Sequence, residues 1–405
     1  MNAIRCTMDY SESLSKRAQS LAPSGIRKFF DLLGDRKDVV GLTVGQPDFQ
    51  TPWHIRQAGI ESLEDGKTFY TSNSGLPALR EEISKYLLRR FALKYDPASE
   101  LIVTVGGSEA IDVALRAVID PGDEVIIPQP AFVCYGPLVT MAGGVPVYID
   151  TREEDLFKLT PDALIGAITP KTKMLILPYP NNPTGAIMER EDLEAIARVL
   201  RKTDIYVLSD EIYAEMTYTG KRGPGASSHV SIAGIDGMRE RTVIVNGFSK
   251  AYAMTGWRMG YTAAPAPVTK QMLKLHQYGI MCAPTTAQFA SIEALRNGDQ
   301  DIAEMTAEYD RRRRYITDGL RKFGIPVFEP QGAFYVFPKI GVFGLSSDEF
   351  CERLLYEHKA AIIPGTAFGA CGEGFARISY AYSVKHISEA LRRIGEFTNT
   401  LKLQG

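Results

Sequence analysis

The sequence predicts a two-domain α/β protein, and three observations lead to this fold class. The chain has 405 residues, more than the roughly 250–300 residues at which single hydrophobic cores stop growing. Its composition, 45% hydrophobic and 23% charged, supplies enough apolar material for a full core. From about residue 100 to 265, short β-branched runs alternate with amphipathic helical stretches. That alternation is typical of a mostly parallel sheet covered by helices.

Seven short apolar runs in this region are the predicted strands of one large sheet. The first run, LIVTV, leads into the glycine turn and helical spacing of GGSEAIDVALRAVI, so that strand, turn and helix follow in order. A further helix is predicted over 189–202. The predicted strands are 101–105, 125–128, 145–149, 174–178, 205–209, 242–246 and 259–263.

After residue 265 the pattern changes to that of a smaller α+β domain. A long charged helix is predicted near 299–323, with separate strand-like runs at 333–337 and 375–380. The last helix is predicted to begin after Ser383, whose hydroxyl suits an N-cap. We therefore predict an N-terminal arm that contributes to the small domain (1–45), a large domain (46–280) and a small C-terminal domain (281–405).

Charge and cysteine content exclude several classes of protein. The net charge is −2, from 46 basic and 48 acidic residues, so no overall field favours nucleic acid or an anionic membrane. The five cysteines form no C-x-x-C pair, which argues against a disulfide framework and a zinc site. No stretch resembles a signal peptide or a membrane span. We expect a cytoplasmic protein that acts on a small molecule without a metal ion.

The run NGFSK (246–250) places Lys250 in a small loop after an apolar strand, eight residues before Arg258. An amine attacks an aldehyde only when it is neutral, so a catalytic lysine needs its pKa lowered by burial or by nearby positive charge. Arg258 could supply that charge. Taken alone, such a lysine is more often a solvated residue at a strand end.

Two further motifs follow predicted strands. VLSDEIY (207–213) delivers Asp210 from the carboxyl end of a strand, the edge at which open α/β sheets bind ligands. An aspartate beside a heteroaromatic nitrogen keeps that nitrogen protonated and makes the ring an electron sink, and Tyr213 can reach the same site. YPNNPTG (179–185) presents Asn182 rigidly as a hydrogen-bond donor. The structural alternatives are a helix N-cap for Asp210 and an ordinary Asn-Pro turn for Asn182.

The turn VGGSE (105–109) joins a strand to a helix. Free backbone N–H groups and the helix dipole make such a turn a phosphate site. It lacks the G-x-G-x-x-G and G-x-x-x-x-G-K-[ST] patterns, so it supports neither dinucleotide nor Walker-type binding. All four motifs lie at sheet ends in one domain, and this coincidence outweighs the structural alternative for each.

With these motifs in this order, the chain strongly resembles the class I/II aminotransferases of fold type I. The resemblance is to the branch that holds aspartate, aromatic and N-acetyl-diaminopimelate aminotransferases, and it spans roughly Pro23 to Arg393. It implies a transferase dependent on pyridoxal 5′-phosphate (PLP), with the cofactor in the large domain. The implied reaction moves the amino group of an L-amino acid to a 2-oxo acid in two half-reactions.

The resemblance assigns the cofactor's anchor and its phosphate site. Lys250 resembles the family's Schiff-base lysine, in a serine-lysine pair with an arginine eight residues on. Ser249 and Arg258 resemble the phosphate ligands of that motif. Gly107 and Ser108 resemble the phosphate-binding turn at the helix N-terminus.

The resemblance also assigns the residues around the cofactor ring. Asp210 matches the carboxylate that pairs with the pyridine nitrogen. Tyr213 and Asn182 match the donors to the phenolic oxygen, and Phe132 fits the aromatic residue that stacks on the ring. Lys250, Asp210 and Tyr213 are the implied catalytic residues.

The substrate side follows from the same resemblance. Arg377 is similar to the arginine that clamps the substrate α-carboxylate, a bidentate task that suits a guanidinium. Gly45 resembles the glycine whose backbone approaches that carboxylate, and Asn182 also lies on the substrate side. Tyr70 sits where the family places a tyrosine that reaches the neighbouring subunit's phosphate. The resemblance therefore implies a homodimer with active sites at the subunit interface.

Substrate choice stays open, because no second arginine for a side-chain carboxylate can be placed. Phe334, Tyr335 and Ile26 could line a side-chain pocket or belong to the core. A PLP-dependent C–S β-lyase is the alternative enzyme, since it needs the same lysine and aspartate. An effector-sensing transcription regulator would need an added DNA-binding domain, and a nicotinamide dehydrogenase would need the absent glycine fingerprint.

Overall fold

The computed structural model describes residues 10–23, 25, 38–219 and 227–404. Ile26, which the sequence offered as a pocket residue, lies outside these ranges. Within them, no helix is both long enough and apolar enough to cross a membrane.

The strands of the described residues are numbered in chain order. They are β1 (Val40–Gly41), β2 (Leu101–Val105), β3 (Glu124–Gln129), β4 (Val145–Asp150), β5 (Thr172–Leu177), β6 (Tyr206–Asp210), β7 (Thr242–Gly247), β8 (Met259–Ala263), β9 (Tyr335–Val336), β10 (Ala360–Ala361), β11 (Ile363–Pro364) and β12 (Ala376–Ser379).

The α-helices of the same ranges are numbered in the same way. They are α1 (Tyr10–Ser13), α2 (Lys16–Gln19), α3 (Trp53–Glu64), α4 (Pro77–Phe91), α5 (Gly106–Val118), α6 (Tyr135–Ala142), α7 (Pro161–Ala167), α8 (Arg190–Leu200), α9 (Phe248–Ala251), α10 (Ala266–Gly279), α11 (Thr285–Asn297), α12 (Asp299–Lys322), α13 (Ser347–His358) and α14 (Val384–Gln404). Short 3-10 turns occupy Ile232–Gly234, Arg239–Arg241, Thr255–Trp257, Gly341–Phe343, Gly365–Phe368 and Ala370–Gly372.

A seven-stranded sheet forms the centre of the molecule, in the order β2-β8-β7-β6-β5-β3-β4. All seven predicted strands are confirmed, with bounds that differ by no more than two residues. The pairs among β3 to β7 are parallel, whereas β8 runs antiparallel to both of its neighbours. The prediction of a mostly parallel sheet is therefore confirmed.

Both faces of this sheet are covered. Successive residues of a strand point to opposite faces, and on β7 Val243 and Val245 pack in one buried cluster while Ile244 packs in another. Helix α5 covers the first face and helix α4 the second, through Ile111 and Ile83 respectively. Burial on two faces explains why these strands read as nearly continuous apolar runs.

Two smaller sheets follow the large one. Strands β11, β12 and β9 form an antiparallel sheet in which Ile363 pairs with Arg377. Strand β1 pairs in parallel with β10, so that Val40 lies opposite Ala360. The domain boundaries stay a prediction. The β1–β10 pairing joins the predicted N-terminal arm to the predicted small domain, as those boundaries require.

The observed helices begin close to their predicted starts. Helix α8 begins at Arg190, one residue later than predicted, because Glu189 and Asp192 form a capping box in which the Asp192 carboxylate accepts from the Glu189 N–H at 2.8 Å. The predicted long helix is α12, and the last helix begins at Val384.

The carboxyl ends of the central strands deliver the motif residues to one edge. Strand β6 ends at Asp210, and β7 leads into α9, which carries Lys250. Strand β8 packs closely against the start of α5: a Cβ on Gly260 would lie 2.6 Å from the carbonyl carbon of Gly106. A glycine is needed there, because no side chain fits between the strand and the first turn of the helix.

Candidate active site

A cavity of about 380 Å³ lies at this edge of the sheet. It brings together residues that are far apart in the sequence but that the motifs had singled out. The predicted site residues that line it are Gly45, Gly107, Ser108, Phe132, Asn182, Asp210, Tyr213, Ser249, Lys250, Arg258 and Arg377.

Lys250 points into this cavity from the short helix α9. Its Nζ donates a hydrogen bond to the backbone carbonyl of Gly45 at 2.6 Å. Burial, together with the positive charges of Arg377 and Arg258, lowers the pKa of Lys250 to about 8, against the opposing effect of Asp210. The neutral amine that a nucleophile or base requires is therefore far more populated near physiological pH than in an ordinary lysine.

Asp210 is a buried carboxylate, with 7% of its surface exposed. The backbone N–H of Ile212 donates to its Oδ1 at 3.2 Å, and the hydroxyl of Tyr135 donates to its Oδ2 at 2.6 Å. Burial raises the pKa of Asp210, and the two hydrogen bonds oppose that rise. A cationic group in the cavity would favour its ionised form further.

Arg377 is a buried cation, 3% exposed, that meets no carboxylate among the described residues. Its Nη1 donates to Asn182 Oδ1 at 3.0 Å and its Nη2 donates to the carbonyl of Thr43 at 2.6 Å. The guanidinium also lies against the rings of Tyr335 and Phe368, 4.6 and 4.8 Å from their centroids. Its Nε has no hydrogen-bond partner within the ranges that the structure describes. A buried cation left in this state is suited to an anionic ligand, which would compensate the charge.

The opposite end of the cavity is built around the first turn of α5. Gly106 has a φ of +73°, and no side chain caps the helix. Gly107 and Ser108 stand in that first turn, and a Cβ on Gly106 would lie 2.6 Å from Nη2 of Arg258. Ser249 is buried nearby in the wall of the cavity. Backbone N–H groups at a helix N-terminus beside a guanidinium make a site for an anion such as phosphate.

Two tyrosines form another part of the wall. The hydroxyl groups of Tyr213 and Tyr335 are 2.8 Å apart, and burial raises the pKa of Tyr213 well above its ordinary value. Tyr335, which the sequence left between pocket and core, lines the cavity. Phe334 is fully buried behind it and packs edge-on against Tyr213, with ring centroids 5.3 Å apart.

Sequence reasoning missed two contributors to the site. Tyr135 lines the cavity and contacts Asp210, although it follows the recognised Phe132 by only three residues. Thr43 contributes a backbone carbonyl to Arg377. The spacing of three residues between Phe132, in the loop before α6, and Tyr135, the first residue of α6, was a usable signal. A backbone acceptor leaves no signal in the residue type.

Tyr70 does not line the cavity. It is 83% exposed and stands on the surface together with Phe69 and Tyr278, which are also exposed. Its predicted role belongs to a neighbouring subunit's site and stays a prediction.

Comparison with known proteins places the chain in a family. The family model described as "Aminotransferase class I and II" matches residues 37–394. The chain is 50% identical over 384 residues to the putative aminotransferase YugH of Bacillus subtilis (strain 168), covering 95% of this chain and 98% of that protein. It is 44% identical over 393 residues to an aspartate aminotransferase of Pyrococcus abyssi (strain GE5 / Orsay), covering 96% and 100%.

The fold agrees with these matches. The crystal structure of an aromatic aminotransferase from Pyrococcus horikoshii OT3 aligns with a TM-score of 0.87 and 43% identity, covering 93% of this chain and 100% of that one. The chain therefore belongs to the class I and II aminotransferases. The family and fold predicted from its motifs are confirmed, it is an enzyme of the transaminase class, and the β-lyase alternative is not favoured.

Since burial and two arginines oppose its charge, we expect the Lys250 amine to titrate near pH 8 in protein that has been treated with hydroxylamine, to release any carbonyl compound bound to the amine, and then dialysed. Arg258→Gln should move the midpoint to higher pH, because it removes one repelling charge. The measurement is the pH dependence of acylation at Lys250 by an amine-directed reagent, followed by peptide mass spectrometry.

The control for this titration is Arg116→Gln, which removes an exposed arginine on the same helix as the phosphate turn. It should leave the Lys250 midpoint in place. An Arg258→Gln protein with the wild-type midpoint would contradict the electrostatic origin of the shift.

Proposed function

We propose that this aminotransferase depends on PLP, that Lys250 carries the cofactor covalently, and that the enzyme exchanges amino groups between L-amino acids and 2-oxo acids. The observation that carries the proposal is the position of Lys250. Its side chain is partly buried, its pKa is lowered to about 8, and it shares one cavity with a buried carboxylate and a buried guanidinium. When bound, PLP supplies a carbonyl group and a protonated ring that withdraws electrons from the substrate α-carbon.

The residues present fit the chemistry of that cofactor at each of its ends. The uncapped first turn of α5 and the guanidinium of Arg258 suit a phosphate. Asp210 suits a protonated pyridine nitrogen, and its burial strengthens the attraction. Phe132 presents an aromatic ring in the cavity wall between these ends. Lys250 provides the amine that captures the carbonyl group.

Lys250 also serves as the base. In that role its Nζ would take the proton from the substrate α-carbon and hold it for return to the bound pair. A pKa near the working pH lets one group accept and release a proton at similar cost. An ionised Asp210 would keep a proton on the ring nitrogen, because a nearby negative charge favours the protonated form of that nitrogen.

Asn182 and Tyr213 are proposed as donors to the phenolic oxygen. The Oδ1 of Asn182 accepts from Arg377 at 3.0 Å, which leaves its Nδ2 group as the donor that faces another partner. Tyr213 exchanges a hydrogen bond with Tyr335 at 2.8 Å, and burial keeps its hydroxyl protonated by raising its pKa. Both side chains are therefore held in place by neighbours on the substrate side.

Arg377 is proposed to bind the substrate α-carboxylate, which is common to all amino donors and 2-oxo acids. Its orphaned Nε and its lack of a carboxylate partner among the described residues leave the guanidinium incompletely compensated. The backbone of Gly45 lies at the same end of the cavity, where its carbonyl accepts from Lys250. A carboxylate placed between them would satisfy the arginine and lie beside the reacting amine.

The active form is proposed to be a homodimer in the cytoplasm. Phe69, Tyr70 and Ile280 are exposed and line one surface depression, and clustered apolar side chains of this kind mark protein–protein contacts. In such a dimer Tyr70 reaches the phosphate site of the partner. The cysteines of the described ranges are unpaired, which suits a reducing compartment.

Lys250→Ala tests the anchor. The variant should still bind PLP noncovalently through the phosphate and ring contacts, but its turnover should fall by several orders of magnitude because anchor and base are both lost. Borohydride should fix the cofactor to the wild type and to Lys270→Ala, an exposed lysine on α10, but not to Lys250→Ala. A reduced adduct that maps to another lysine by peptide mass would overturn the assignment.

Arg377→Lys tests the carboxylate site. Lysine keeps the charge but loses the planar fork, and losing one charge-assisted hydrogen bond costs about 1.5–3 kcal/mol. The Michaelis constant should therefore rise roughly tenfold or more for every donor and every 2-oxo acid. Arg392→Lys, at an exposed arginine, is the matched control. A defect confined to acidic substrates would mean that Arg377 reads the side chain instead.

Mixed dimers test the role of Tyr70. Lys250→Ala and Tyr70→Ala homodimers should each be impaired, because every site in them lacks one residue. Coexpression of the two chains should restore activity above that of either variant alone, since the mixed dimer contains one site with both residues intact. If each chain used its own Tyr70, the mixture would show only the sum of the two defective activities.

A further inference from the structure

The ionised state of Asp210 depends on a hydrogen-bond donor outside the recognised motifs. Tyr135 is 3% exposed, and its hydroxyl donates to Asp210 Oδ2 at 2.6 Å. The backbone N–H of Ile212 donates to Oδ1 at 3.2 Å. These are the donors that the described residues supply to this carboxylate, and the one from Tyr135 is the shorter.

Two influences oppose the charge of Asp210. Burial withdraws it from water, and the carboxyl group of the adjacent Glu211, which is 1% exposed, adds a like charge. Hydrogen bonds to the carboxylate act in the opposite direction. Burial raises the pKa of Asp210, and the bond from Tyr135 is the largest of the effects that lower it. Without that bond the protonated acid would be favoured further.

Tyr135 is suited to act only as a donor here. Burial raises the pKa of its phenol well above the ordinary value, so the hydroxyl keeps its proton at every working pH. Its ring stands edge-on to Phe132, with centroids 6.1 Å apart, and packs in the apolar cluster below the cavity. The side chain therefore joins the aromatic wall to the carboxylate that faces the same space.

We propose that Tyr135 is a positioning residue of this aminotransferase, whose hydroxyl orients the Asp210 carboxylate and holds it in its ionised form. An ionised Asp210 is what keeps a proton on the ring nitrogen of the cofactor, so Tyr135 acts on catalysis through Asp210. The inference rests on the proposed function, in which Asp210 pairs with that nitrogen.

A double-mutant cycle in the PLP-loaded enzyme tests this inference, using Tyr135→Phe, Asp210→Asn and the double variant. Tyr135→Phe should lower kcat roughly tenfold, the usual size of a lost hydrogen bond to a charged group. The Michaelis constant of the amino donor should stay near that of the wild type, because Arg377 is untouched. On the Asp210→Asn background, Tyr135→Phe should cause no further loss, since the charge it supports is gone.

The pH profile separates this role from a purely structural one. Removing a donor raises the pKa of Asp210, so the acid limb of kcat should move to higher pH in Tyr135→Phe, and the deficit should shrink as the pH rises. The same shift should appear in the pH titration of the bound cofactor's absorbance. The dissociation constant of PLP, measured by titrating the cofactor-free protein, should change less than kcat.

Tyr261→Phe is the matched control, because it removes a buried hydroxyl that has no partner. It should leave kcat, the pH profile and the cofactor titration unchanged. The inference would be overturned if Tyr135→Phe lowered kcat equally in the wild type and in Asp210→Asn. It would also be overturned if Tyr135→Phe lowered the melting temperature but left the acid limb of kcat at its wild-type pH. If Asp210→Asn loses activity but Tyr135→Phe has the kcat and pH profile of the wild type, the inference about Tyr135 is wrong and the proposed role of Asp210 stands. Normal turnover in Asp210→Asn would overturn the proposed role of Asp210 and the inference with it.

Discussion

Incomplete charge compensation inside one buried cavity is the constraint on which the rest of this structure depends. Asp210 and Arg377 are buried and Lys250 is partly buried, yet none of the three meets an opposite charge at ion-pair distance among the described residues. Burying such groups opposes folding, because their desolvation is repaid only in part. The surrounding sheet and helices must supply that stability, and a charged ligand recovers it on binding. The charged groups of the site are therefore only partly compensated until a ligand binds.

The topology of the sheet explains how these groups converge. Parallel strands β6 and β7 pair with each other and end at the same edge, so Asp210 and the segment that carries Lys250 are brought together by strand pairing. Strand β8 returns in the opposite direction beside β7 and β2, which carries Arg258, at its start, to the first turn of α5. Gly106 and Gly260 permit that close approach because neither has a side chain. The anion site is therefore a product of strand order and of two glycines.

The substrate end of the cavity is assembled differently, from segments distant in the chain. Arg377 lies on β12, and its guanidinium reaches Asn182, in the loop that follows β5, and the carbonyl of Thr43 near the N-terminal strand. Three segments thus meet at one guanidinium, so any relative movement between them would change its hydrogen bonds. The relatives named as aspartate and aromatic aminotransferases share this fold across nearly their whole length.

The sequence by itself determined the seven strands, the main helices and the four motifs of the site. These features depend on local chemistry: apolar periodicity, glycine turns, capping groups and the residue types that catalysis requires. Residue type and spacing are therefore enough to recognise Lys250, Asp210, Asn182 and the α5 turn, and the fold lines one cavity with them. Phe334 and Tyr335 show the limit, because adjacent residues with similar rings divided between buried core and cavity wall.

Only the tertiary structure decided which side chains meet across the chain. The Tyr135–Asp210 bond spans 75 residues and the Arg377–Asn182 bond spans 195. The tertiary structure likewise decided the antiparallel direction of β8 and left Nε of Arg377 without a partner among the described residues. None of these leaves a mark in local periodicity or residue type, because each depends on strand order and on packing between distant segments. The chemistry of the site could thus be anticipated from its residues, whereas its electrostatic balance required their arrangement in space.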